Sequence, residues 1–134
     1  MKAVFKKIDV SKHHDFEKIS KDFASGCDSA YAFEYYNAAG VLVIHAAIAL
    51  ADSVTIKLAG KKCSGDSHYD IIELLRQVTP PSTNKNKALD QFKKLIDHKN
   101  QVSYHGDIYY KKDIDKLLKH FERFRSWVGS LQKI

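Results

Sequence analysis

The stretch "AAGVLVIHAAIALA", residues 38–51, constrains this chain more than any other, because fourteen residues pass with only His45 to interrupt their apolar character. Its alanines and leucines favour a helix, and the pattern predicts one long helix from about Ser29 to Leu58. Tyr31, Tyr35, Ala38, Leu42, His45, Ala46 and Ala49 form one stripe, and Val43, Ile44 and Ala47 lie beside it. A helix that is apolar most of the way round belongs at the centre of a bundle. Gly40 costs about 1 kcal/mol relative to alanine in such a helix, so a closely packed neighbour is its expected compensation. His45 is expected to be a satisfied core residue.

The other segments supply the helices that surround it. "SKHHDFEKISKDFASG" has Ser11 as a candidate N-cap, Phe16, Ile19 and Phe23 at helical spacing, and Gly26 as a stop. "HYDIIELLRQV" is a short helix with Tyr69, Ile72, Leu75 and Val78 inward, capped by Asp66 or Ser67. "TPPSTNKN" breaks the chain, and Thr83 or Asn84 starts a helix with Leu89, Phe92, Leu95, Ile96 and Val102 inward. The last helix begins near Lys111, and its Ile114, Leu117, Leu118, Phe121, Phe124, Val128 and Leu131 step at three and four. Two prolines and six glycines leave little punctuation for many short strands, and no convincing strand or internal repeat is present. The expected fold is all-α, an up-and-down bundle of four to five helices in one domain, 1–134, with its core at about 11–131.

Cys27 and Cys63 have no CxxC or zinc-ligand spacing and read as reduced and partly buried. The opening "MKAVFKKIDV" lacks the apolar centre of a signal peptide, and no run of about 20 apolar residues is present. These features give the expectation of a cytoplasmic protein with no membrane span. His13 and His14 are adjacent and are expected to point to different helix faces. Asp66 and Asp70 bracket His68 without forming a metal site, and His68 has no evident chemical partner. No metal and no cofactor is expected.

Charge and one motif point to function. The formal charge is +6, and such a field attracts polyanions, nucleic acid above all. "HKNQVSYHG", His98 to Gly106, follows the fourth helix. Lys99 and Asn100 continue its apolar stripe, and a turn at Gly106 can fold His105 back toward them. A lysine, an amide and an imidazole then converge on one phosphate, with His105 as general acid or base and Lys99 stabilising charge. The same residues also suit a helix end, where Lys and His complement the last carbonyls. Tyr104 and Tyr109 can stack on bases and Lys111 and Lys112 can hold phosphates, or the tyrosines of "YYKK" fill the bundle end or a dimer seam.

The chain resembles the HEPN (higher eukaryotes and prokaryotes nucleotide-binding) helical domains from about Phe16 to Val128. The likeness lies in "YYNAAGVLVIHAAIALADSVTIKLAG", in "SGDSHYDIIELL", and most in "LIDHKNQVSYHGDIYYKKDIDKLLKHFERFRSWV". The family signature is an Arg, a polar residue that is often Asn, and a His, in an R-x(4–6)-H pattern. Asn100 and His105 match it with five residues between Lys99 and His105, and Lys99 stands in the arginine's place. Lysine keeps the charge and loses the bidentate fork. The resemblance implies an RNA- or nucleotide-interacting protein, non-catalytic or weakly catalytic, from a toxin–antitoxin or defence system. The alternative it implies is a metal-independent endoribonuclease toxin using Lys99, Asn100 and His105 at a homodimer cleft. It also implies a nucleotidyltransferase-type antitoxin as partner. Isologous pairing would double the sparse site and place the two-fold axis near Lys99–His105.

Overall fold

The apolar stretch becomes α2, Tyr36–Ala59, and every other helix packs directly on it. The computed structural model describes residues 5–65 and 67–131. The helices around α2 are α1 (His13–Ala32), α3 (Tyr69–Val78), α4 (Lys85–Asp97), the single-turn-and-a-half α5 (Lys99–Tyr104) and α6 (Lys111–Leu131). The chain is thus mostly helical, a bundle, and α2 contributes the largest share of its buried residues. By length and composition α2 is also the one helix among the described residues apolar enough to cross a membrane, although 78% of its apolar window is buried inside the bundle. Phe92 of α4 stacks on Phe124 of α6 with ring centroids 4.8 Å apart.

Gly40 meets the expectation set by its cost. A Cβ there would stand 2.8 Å from Val102 Cγ2 and 3.3 Å from Ile114 Cδ1, so glycine lets α5 and α6 settle on α2. Gly26 does not end the first helix. It lies within α1, where a Cβ would be 3.4 Å from Leu42 Cδ1, and a close helix approach explains it.

The helix expected from Ser29 is really two. α1 continues to Ala32, and the chain reverses through Phe33, Glu34 and Tyr35 before α2 starts. Glu34 takes a left-handed φ of 64°. The Tyr35 N–H donates to Ala30 O at 2.8 Å and the Glu34 N–H to Tyr31 O at 3.0 Å, a C-terminal cap made without glycine. Tyr31 therefore belongs to α1, not to the stripe on α2.

A small antiparallel ribbon was not expected. β1 (Phe5–Lys7) pairs with β2 (Lys61–Cys63), and the register sets Lys6 opposite Lys62 and Lys7 opposite Lys61. Three-residue strands are too short to show alternation, which is why the pattern is silent. Gly60 turns α2 into β2 with φ 62° and an N–H bonded to Ile56 O at 2.8 Å. Asp9, not Ser11, caps the entry to the bundle: its carboxylate accepts the Ser11 N–H at 2.9 Å at the head of a 3₁₀ turn, Val10–Lys12. The proposed cap Asp66 lies outside the described residues, and His68 occupies the position before α3 with no side-chain cap. Tyr69, expected in the core, is exposed and donates its hydroxyl to Asp97 Oδ1 at 2.6 Å, while Ile71 and Leu74 join Ile72 and Leu75 inside.

Candidate functional site

The Lys99–His105 segment is held by α2 from below. Val102 is buried on Gly40, and the Asn37 side chain binds the backbone on both sides of the turn. Its Nδ2 donates to Val102 O at 3.1 Å and Asp107 O at 2.9 Å, and its Oδ1 accepts the Tyr109 N–H at 2.8 Å. Gly106, with φ 78°, turns the chain after His105. His98 sits between α4 and α5, and its Nδ1 lies 2.6 Å from the Tyr109 hydroxyl.

This anchoring does not fold His105 back onto Lys99. His105 keeps helical dihedrals at the end of α5 and is exposed, as is Asn100. Six helical steps carry the chain from Lys99 to His105, about 9 Å along the axis, and point them to different faces. Val102 takes the inward direction, and Lys99, one turn before it, is drawn partly inward with it. Within one chain the three motif residues therefore do not converge on a single phosphate.

Lys99 instead acts through its charge on two other histidines. Its ammonium is close enough to His45, on α2, and to His68, ahead of α3, to disfavour the protonation of both. Burial is the larger cause in each case, and His45 and Lys62 add to the effect at His68. Neither imidazole has a hydrogen-bond partner among the described residues, and His45 lies at the edge of the core and not inside it. Its ring is half-buried with the Phe23 ring 5.7 Å away.

His68 continues the polar strip into a cavity of about 250 Å³ whose walls include Lys6, Asp52, Lys62, Cys63 and Ser64. Asp52 Oδ2 lies 3.7 Å from Lys62 Nζ, while Oδ1 has no partner among the described residues. Burial pushes the Asp52 carboxyl up to about 6, against the pull of Lys62. Burial, with Asp52 and Asp70 nearby, pushes the Cys63 thiol up to about 11, and burial does the same to Cys27. Both thiols are therefore protonated at neutral pH and poor nucleophiles. One signal in the sequence did point here. His45 and Asp52 are seven residues apart on an otherwise apolar helix, which puts two ionisable groups on one face. His68, Lys62 and Lys99 come from three separate elements, and no spacing links them.

The residues expected to hold RNA divide. Tyr104 is 78% exposed, so its ring is open to stacking. Tyr109 is buried and bonded to His98, so it fills the bundle end, the other role open to it. Lys111 pairs with Asp115 at 3.3 Å beside Tyr31, whose hydroxyl binds the same carboxylate at 2.7 Å. Lys112 is exposed and has no ion pair among the described residues. Around the start of α2, Phe33, Tyr35, Tyr104, Ile108 and Tyr110 are each more than 60% exposed.

His13 and His14 do not diverge as expected. They open α1 with ring centroids 3.9 Å apart, and His13 Nδ1 lies 3.0 Å from Glu17 Oε1. The donor atoms of these three residues lie within 4.8 Å of one another, a possible ligand set for a metal ion. They sit at a helix N-terminus, whose free N–H groups oppose a cation.

The chain matches no family model, no curated protein and no solved structure.

Proposed function

We propose that the protein binds RNA or a nucleotide through its phosphate, in the manner of the HEPN-type proteins it resembles, and is non-catalytic or weakly catalytic. A toxin–antitoxin or defence system, with a nucleotidyltransferase-type partner, is the setting that this resemblance implies. The observation that carries the proposal is the grouping of Lys99, His45 and His68. An ammonium and two imidazoles come from three elements, and partial burial and the Lys99 charge disfavour protonation of both rings. An incoming phosphate reverses that repulsion: it favours protonation of both rings and turns neutral groups into cationic donors. The net charge of +6 supplies the long-range attraction.

The proposal predicts proton uptake on binding. Titration of a short single-stranded RNA, followed by calorimetry in buffers of different ionisation enthalpy at pH 7, is expected to show protons taken up. Lys99→Ala and His68→Gln are each expected to weaken binding, and affinity is expected to fall steeply with salt. Binding with no proton uptake and no response to either substitution removes the proposal.

A second reading rests on the exposed His105 beside the aromatic group at the start of α2. A homodimer that covers this surface would bring two Lys99–His105 segments together and create the cleft one chain lacks, giving a metal-independent endoribonuclease. RNA incubated with the protein in EDTA is then cleaved, Lys99→Arg preserves or raises the rate, and His105→Ala abolishes it. A monomer at micromolar concentration in light scattering, with no cleavage, excludes it.

A further inference from the structure

A cavity of about 400 Å³ opens at the other end of α4, away from Lys99. The α4 end contributes Asn84, Lys87 and Gln91, and α6 contributes Arg123, Ser126 and Trp127. Its volume lies within the range of small-molecule sites. Among the described residues no carboxylate lines it. Among the described residues neither Lys87 nor Arg123 has an acidic partner, whereas Arg76 and Arg125 both do.

The neutral groups also present donors. Gln91 Oε1 is engaged by His120 Nδ1. An amide oxygen only accepts, so the His120 ring donates from Nδ1, and the Gln91 amide NH₂ has no partner among the described residues. Trp127 is 5% exposed, and its indole Nε1 has no acceptor among the described residues. The first turn of α4 contains no acidic residue and Asn84 makes no side-chain cap; the Lys85 N–H donates to Ser82 O at 3.4 Å, and the N–H groups of Asn86 and Lys87 have no side-chain acceptor among the described residues. An unpaired helix N-terminus favours an anion.

We propose that this cavity binds a small phosphomonoester, with its phosphate held by Arg123 and Lys87 at the start of α4 and the rest of the molecule against Trp127. A carboxylate has two oxygens and cannot answer this many donors. A phosphate dianion has three free oxygens and accepts a bidentate guanidinium, an ammonium and backbone N–H groups together. The site is separate from the Lys99 group and does not depend on it.

Trp127 is the only tryptophan in the chain, so its fluorescence reports on the wall of this cavity. The experiment titrates the full chain with uridine monophosphate, inorganic phosphate and uridine, following tryptophan emission and heat. Both phosphate-bearing probes are expected to bind, the nucleotide more tightly, and uridine is not. Arg123→Ala and Lys87→Ala are each expected to weaken nucleotide binding by about tenfold or more, the effect of losing one charge-assisted contact. Lys18→Ala removes the same charge from α1 and is expected to leave binding unchanged. Trp127→Phe keeps the packing and loses the N–H, and weaker binding is expected by calorimetry, with circular dichroism reporting that the fold is retained. The proposal is overturned if neither phosphate probe binds, if uridine binds as well as its monophosphate, or if Lys18→Ala weakens binding as much as Arg123→Ala does.

Discussion

Replacing Asp52 by asparagine is expected to stabilise the protein above pH 6, with the gain vanishing toward pH 3.8. The side chain is 7% exposed, one oxygen lies 3.7 Å from Lys62 Nζ, and the other has no partner among the described residues. Burial therefore costs the carboxylate more than Lys62 returns, and its pKa rises from 3.8 to about 6. About 2 units at 1.36 kcal/mol each gives a penalty on the order of 3 kcal/mol for the ionised form. The sign follows from proton counting. Between pH 3.8 and 6 the folded chain holds a proton that the unfolded chain has released, so stability falls as pH rises through that window. Asparagine does not titrate. It also gives up the attraction to Lys62, so a gain of about 1–3 kcal/mol at neutral pH is expected. His45, His68 and His120 act in the opposite direction: their pKa values are lowered from 6.5, so they cost stability as pH falls below that value. They are common to both proteins, and the difference between wild type and Asp52→Asn isolates the carboxylate. Urea unfolding of both across this range measures it. A difference that does not change with pH, or an asparagine variant less stable throughout, would refute the reasoning, because Asp52 would then be a well-satisfied ion.

Three further substitutions probe the frame that positions the site. Glu34→Gly is expected to stabilise by about 0.5–1 kcal/mol in thermal unfolding, because φ is 64° there and glycine adopts that geometry without steric cost. Asn37→Ala removes three hydrogen bonds to the segment from Val102 to Tyr109; a loss of about 2–3 kcal/mol is expected, with faster amide exchange at Tyr109. Gly40→Ala gains about 1 kcal/mol in helix propensity but forces a Cβ to 2.8 Å from Val102. A net loss of about 1 kcal/mol is expected, and Val102→Ala in the same chain should recover it, as a double-mutant cycle would show.

Helical periodicity is a local property, and the sequence by itself determined what depends on it. The apolar girth of α2, the inward set Leu89, Phe92, Leu95 and Ile96, and the start of α6 at Lys111 all follow from spacing within one element. So does the need for a close neighbour at Gly40, since a helix retains an interior glycine against its propensity only where packing rewards it. What failed locally did so where a tertiary contact stood in for the usual residue. Glu34 rather than glycine ends α1, because the reversal is held by its cap bonds and by packing of the helices it joins. Gly26 continues a helix because Leu42 approaches it. The candidate site lay furthest from view. Lys99 and His105 share one motif, yet the helical path between them sends one partly inward and the other to solvent. His45 and His68 are distant along the chain and come within electrostatic reach of Lys99 once α3 and α5 pack on α2. A single sequence records residue order and local pattern, whereas a polar site assembled from three elements exists only once loop closure and core packing have brought those elements together.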